Sequence, residues 1–301
     1  MVATVRVQAA GLFLVDAGGF AVAVASDRVL GVERAALVRH DGVAATLATR
    51  LGQVPVVALA ALLQPSAAPP SAAGQILLVE TDGERLGLWV DKVTALPRSL
   101  TPDRADGADA PAWLADLPFA GAVLVGGAAV PLLDLARLFG GPRPAPPPVS
   151  AAGPRPAPSV GRSGFLVVVG LGETPSAGGR VVGFGLPAGC VEEVADAGVP
   201  AAVPGAAPHL LGLLGWRGGV IPKLDPSAWC GLGPLADPGV RVAVVRVGGG
   251  ARVAVAVGGE TRSVRMTAPH VERPTRLPVA AARVAGVYEF AGLTVVLPRL
   301  A

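Results

Sequence analysis

The run from Gly141 to Gly164, GPRPAPPPVSAAGPRPAPSVGRSG, limits what this chain can fold into. Proline at this density removes amide donors and fixes φ. The run therefore favours an extended polyproline spacer over a segment of core. It leaves two stretches of similar length, residues 1–142 and 164–301, with residues 143–163 as linker. Each stretch must build its own core. Gly 41 and Pro 30 together approach a quarter of the 301 residues. Both interrupt helices and punctuate turns, so many short strands are favoured over long helices. Aromatic residues are only 4%, which leaves Val, Leu and Ala to fill the interior.

Strand signals are dense on both sides of the linker. Gly11–Val15, Phe20–Ala25, Gln75–Glu80, Arg85–Val90, Gly121–Val125 and Ala128–Leu133 are short apolar or alternating runs bounded by turn residues. Asp82-Gly83 and Gly126-Gly127 mark hairpin turns. The second stretch offers Phe165–Val169, Arg180–Leu186, Val242–Val247, Arg252–Val257, Val287–Phe290 and Leu293–Leu297. Five blocks recur in the same order. Phe20–Val24 matches Val182–Leu186, Asp27–Val32 matches Gly189–Val194, and Gly52–Val54 matches Gly218–Val220. Arg85–Val90 matches Arg252–Val257, and Gly121–Leu135 matches Gly286–Leu300. The chain reads as an internally duplicated all-β protein.

The charge balance excludes several classes of function. Net charge is +3, and no run of five like charges provides a nucleic-acid arm or a polybasic membrane patch. Cys190 and Cys230 cannot build a disulfide framework, and CxxC metal spacing is absent, which suits a reducing compartment. The uncharged runs Leu117–Leu133 and Ala197–Trp216 are broken by Pro118, Pro131, Pro200, Pro204 and Pro208, unlike a membrane-spanning helix. The expectation is a soluble, unexported, cytoplasmic chain.

Leu210–Asp225 reads LLGLLGWRGGVIPKLD. This run resembles the signature of the CheW family, close to LLGLVNLRGRVVPVLDL. Arg50–Leu59, RLGQVPVVAL, is a degraded copy. Gly87–Val93 is similar to the family's GLLVDRV, and Val130–Leu135 is similar to its closing Leu-Asp-Leu. The departures are specific. Gly215 stands for the family's Asn, Trp216 for its Leu, Lys223 takes an apolar position, and Ala58 replaces the final Asp of the first copy. In the second copy the GLLVDRV block has become VAVGGE, and the last Leu-Asp-Leu has become Leu297-Pro298-Arg299-Leu300.

The resemblance implies two CheW-like domains in tandem, 1–142 and 164–301, each a pair of small five-stranded SH3-like barrels. It implies a non-catalytic adaptor without cofactor or metal. Its partners would be a CheA-type histidine kinase, the cytoplasmic tips of chemoreceptors and other CheW-like domains, reached at membrane-bound arrays with no insertion of its own. Receptor contact falls on Trp216, Arg217 and Gly218, with Arg50 in the first copy. Kinase contact falls on the strand after the first hairpin: Val29, Leu30 and Val32, and Val191 and Val194. Trp and Arg are the residue types that dominate binding hot spots. The plainer alternatives are that Trp216 is core and that the valines pack inward.

Other signals are weak. Thr81-Asp82-Gly83 has the wrong order for an aspartic-protease triplet. Gly170-Leu171-Gly172 lacks the helix and Lys of a phosphate loop. His40, His209 and His270 have no ligand-spaced neighbours, and no G-x-S-x-G elbow is present. The rival readings are an all-β small-ligand binder or hydrolase with a cleft of convergent polar groups, and a structural paralogue without kinase contact.

Overall fold

The computed structural model describes residues 11–41, 44–49, 52–68, 70–81, 83–96, 103–104, 117–139, 163–173, 181–259, 261–267, 279–290 and 293–300. They are predominantly β-sheet. The chain divides into two compact units. The first is Met1–Pro147 with Ala201–Ala206 and Arg217–Val220; the second is Pro148–Pro200, Ala207–Trp216 and Ile221–Ala301. Each half of the chain has its own sheets and core.

The first half runs β1 (Leu12–Ala17), β2 (Phe20–Ala25), β3 (Val29–Arg34), β4 (Val38–Asp41), β5 (Ala44–Thr49), β6 (Gly52–Ala58) and α1 (Leu59–Leu63). It continues with β7 (Gln75–Thr81), β8 (Glu84–Val90), β9 (Lys92–Ala95), β10 (Asp103–Arg104), β11 (Phe119–Val125), β12 (Ala128–Leu133) and α2 (Leu135–Leu138). The second half runs β13 (Ser163–Glu173), β14 (Val181–Pro187), β15 (Val191–Asp196), β16 (Leu210–Trp216), β17 (Gly219–Leu224) and α3 (Pro226–Trp229). It ends with β18 (Arg241–Arg246), β19 (Arg252–Val257), β20 (Arg262–Thr267), β21 (Val284–Phe290) and β22 (Leu293–Pro298).

Four sheets are formed by the described residues. Two lie in the first half, ordered β10-β11-β12-β2-β1-β9 and β3-β7-β8-β6-β5-β4. Two lie in the second, ordered β20-β13-β14-β22-β21 and β15-β18-β19-β17-β16. Without β10 and β4, the first pair repeats the order of the second, strand for strand. The second-half sheets have five strands each, while edge strands β4 and β10 raise the first-half sheets to six. Every sheet contains one parallel pair: β2 with β12, β6 with β8, β14 with β22 and β17 with β19.

Two of the bulges repeat as well, whereas the β13–β14 shift between Val169 and Gly172 has no counterpart in β1–β2. The β3–β7 register shifts between Val29 and Gly31, and the β15–β18 register shifts between Val191 and Glu193. The β11–β12 register shifts between Phe119 and Gly121, and the β21–β22 register between Val284 and Gly286. A bulge inserts one residue, bends its strand and redirects a side chain.

The hairpin turns follow the expected chemistry. Gly126 (φ 59) and Gly127 (φ 85) join Val125 to its partner Ala128, the double positive φ of a type I′ turn. Thr81 pairs with Glu84, as the Asp-Gly turn requires, although Asp82 lies outside the described residues. The cores are aliphatic, as the composition demands. In the first half one cluster joins Leu47, Val54, Ile76 and Leu78, and another joins Leu12, Ala23, Val123 and Leu132. In the second half, Phe184, Leu186, Leu232, Val255 and Val296 share a cluster. Fully burying one such side chain contributes ~1.5–3 kcal/mol. No helix among the described residues is long and apolar enough to cross a membrane.

Candidate functional site

Strands β16 and β17 flank the two-residue turn Arg217-Gly218, with φ of 46° and 83°. Among the described residues Arg217 is the one non-glycine with positive φ. At the first position of the β11–β12 turn, which has the same pair of positive φ angles, Gly126 carries no side chain. A side chain in the left-handed region costs roughly 1–2 kcal/mol. Arg217 and Gly218 are exposed. Trp216 is half-buried and packs on Leu214, Ile221, Val242, Val244 and Ala254. The structure thus brings the three second-half candidates together and splits their roles. Trp216 anchors the hairpin, and its tip presents a guanidinium. Arg50 lies outside the described residues. It falls between β5 and β6, where Thr49 Oγ1 donates to the Gly52 carbonyl at 2.9 Å.

The base of the second-half hairpin is locked by Asp225. Its Oδ1 accepts from the amides of Ser227 (2.8 Å) and Ala228 (3.1 Å), and Oδ2 accepts from the Leu235 amide (2.8 Å). The Asp225 amide donates to the His209 carbonyl at 2.9 Å, closing β16 onto β17. Pro226 begins α3, where a missing amide costs nothing. The first half places its cap elsewhere. Ala58 leaves α1 without a side-chain cap, whereas Asp134 after β12 caps α2 through the Arg137 amide at 3.2 Å.

Trp229 sits beside this lock. The His209 ring meets it edge-on, with centroids 4.8 Å apart, and the Arg283 guanidinium lies 4.7 Å from its ring centroid. Its Nε1 donates to the Arg299 carbonyl at 3.0 Å. Burial lowers the His209 pKa, helped by Arg283 and opposed by Asp225. Burial also pushes the Cys230 thiol up to about 12, so this thiol is not a nucleophile at neutral pH. Lys223 is buried, and its Nζ donates to the Gly239 carbonyl at 2.7 Å. Desolvation lowers its pKa. Lys223 therefore ties β17 to the loop before β18.

The kinase candidates lie on edge strands β3 and β15. Leu30 is 45% exposed and Val32 39% exposed, while Val29 is half-buried. Inward packing does not describe Leu30 or Val32. Val191 and Val194 do pack against the core that contains Val245 and Phe184. What β15 presents at its bulge is Glu192. Its Oε1 accepts from Arg246 Nη2 at 2.8 Å, and its Oε2 from Arg252 Nε at 2.8 Å. Hydrogen bonds from Arg252 and Arg246 hold its carboxyl below the usual range.

The sequence reading missed this ion cluster. Its signal was present: Arg246 and Arg252 flank Gly248-Gly249-Gly250 and are cross-strand partners, so both guanidiniums lie together. Among the described residues no group of three or more His, Cys, Asp or Glu is placed to hold a metal. His270 lies outside them, as does the His40 side chain.

Residues 174–301 match the model of the CheW-like domain family. The chain is also similar to the crystal structure of scaffolding protein TtCheW from Thermoanaerobacter tengcongensis. Identity there is 19% over 46% of this chain and 84% of that one, with a TM-score of 0.38. No curated protein matches. Proteins of the matched family are non-catalytic scaffolds rather than enzymes. The C-terminal half of this chain therefore holds a CheW-like domain, a module for binding rather than catalysis.

Proposed function

We propose that the chain is a cytoplasmic adaptor of two CheW-like domains, residues 1–142 and 164–301. It couples chemoreceptor cytoplasmic tips to a CheA-type histidine kinase. The observation that carries this reading is the repeated strand order: the half outside the family match repeats the shared strand order, the parallel pairs and two of the bulges of the half inside it. On this reading each domain is a pair of small SH3-like barrels, and residues 143–163 tether the two. Tethering raises the effective concentration of the second site once the first is engaged.

The two candidate surfaces take different partners. The Arg217-Gly218 tip meets the receptor, since a permanently charged planar donor on a rigid turn suits a polar helical surface. The β3 edge, with Leu30 and Val32 exposed, meets the kinase or another CheW-like domain through apolar contact.

The test is affinity capture from the native cell with the full chain, Arg217→Glu and Leu30→Lys. Recovery of a receptor lost with Arg217→Glu, and of a histidine kinase lost with Leu30→Lys, is the expected pattern. Capture of neither by the folded wild-type chain rejects the coupling role. Losses in the reverse pattern reassign the surfaces.

A further inference from the structure

We propose that the first half holds a binding site for a small zwitterion, a free α-amino acid with a short side chain, at the junction of its two sheets. This goes beyond the adaptor reading and does not rest on it.

A cavity of about 180 Å³ opens where the end of β2 and the 3-10 helix Ser26–Arg28 meet the end of β7, β12 and α2. Its lining comes from both sheets, with Thr81 at the end of β7 and Leu132 on β12. Leu132 and Leu135 give it an apolar wall. An apolar cavity with a few convergent polar groups is the general form of a small-ligand site.

Three of its polar groups are open to a ligand. Thr81 is 9% exposed, and among the described residues its hydroxyl has no hydrogen-bond partner. A hydroxyl at that depth ordinarily has one. Asp27 and Arg28 also line the cavity and are exposed at its mouth. Among the described residues neither is held in an ion pair. The fourth polar residue, Asp134, is already engaged. Its Oδ1 accepts from the Arg137 amide and its Oδ2 from Arg137 Nε, both at 3.2 Å.

One open cation, one open anion and one open hydroxyl beside an apolar wall define the ligand. The planar donor fork of Arg28 matches a carboxylate, and Asp27 accepts an ammonium group. A ligand with a single charge would leave one of the two unmatched. The Leu132 and Leu135 wall takes a short aliphatic side chain. A cavity of about 150 Å³ takes benzene, so this one suits about seven or eight non-hydrogen atoms, the size of serine or valine.

The second half has no such set. The positions matching Asp27, Arg28, Thr81 and Asp134 hold Gly189, Cys190, Val247 and Arg299. The shared sheet framework therefore does not require these residues in the first half.

The experiment is calorimetric titration and thermal unfolding of the full chain with glycine, L-alanine, L-serine, L-threonine and L-valine. N-acetyl-L-alanine and L-alaninamide, each lacking one charge, serve as controls. At least one of the five amino acids should bind at one site per chain and raise the melting temperature, because a ligand that binds only the folded state stabilises it. The two controls should not bind. Arg28→Gln and Asp27→Asn, at exposed positions, should each weaken binding about tenfold, and Thr81→Val should weaken it as well. Melting in the absence of ligand checks that each variant is folded, and Arg28→Gln decides the matter if Thr81→Val is not. Binding of none of the five overturns the proposal. So does binding shared equally by the controls, or binding that Arg28→Gln and Asp27→Asn both leave unchanged.

Discussion

Leu30 and Glu192 occupy the same place in the two halves: each is the residue inserted at the bulge of an edge strand, opposite β7 and β18 respectively. One is an exposed aliphatic side chain, and the other is a carboxylate gripped by two arginines. Replacing Glu192 by Gln removes the anion between Arg246 and Arg252, which are direct cross-strand partners. Its folded pKa lies below the ordinary value, so its stabilisation is present above the carboxylate range and is lost as pH falls through the folded value. The variant should melt below the wild type at pH 7, and the two curves should converge in strong acid. Leu30→Lys, at an exposed site, should leave stability within about 0.5 kcal/mol.

Arg217 holds a backbone conformation that suits Asn or Gly better. Arg217→Asn should keep the I′ turn and raise stability by about 0.5–1 kcal/mol, read by chemical denaturation. The same change should weaken capture of the partner that the hairpin tip engages. Strain retained at an exposed tip is a mark of function. An unchanged affinity would assign Arg217 no binding role.

Asp225 accepts three backbone amides from a fully buried position. Asp225→Ala leaves those donors unsatisfied and should cost about 2–4 kcal/mol in denaturant titration. Asp225→Asn, which keeps one acceptor, should cost less.

His209 is held neutral by burial and by Arg283. Its folded pKa lies below its unfolded one, so the unfolded chain binds the proton more readily. Stability should therefore fall as pH drops through the histidine range. His209→Gln should flatten that slope. A variant with the wild-type slope would place the titration elsewhere.

The elements legible in the sequence are those whose pattern and turns agree. Ala128–Leu133 and Arg252–Val257 are strands over the residues expected, and Phe20–Ala25 likewise, because turn residues bound each apolar run. β5, Ala-Ala-Thr-Leu-Ala-Thr, was not legible, because alanine carries little strand preference and the strand forms through pairing with β6. The Arg217-Gly218 turn could be read from its motif. The exposure of Leu30 could not, because a bulge shifts register by one residue and leaves no mark in the hydrophobic pattern. The pairing of Arg246 with Arg252 could be read from the hairpin, but not that Glu192 is the carboxylate they grip, because that depends on the corresponding bulge in β15.

The parallel pairs bear on how the chain is made. β2 is complete by Ala25, yet its neighbour β12 brings Leu132 to Ala23 only after another hundred residues or so. β14 waits similarly for Thr294 to reach Val182. Such distant pairings make folding slow, because the chain must close a long loop before the contact repays it. During synthesis each half keeps a bare strand edge until its last hairpin leaves the ribosome. That interval is when a growing chain is open to pairing with the wrong strand, including the matching strand of its own other half.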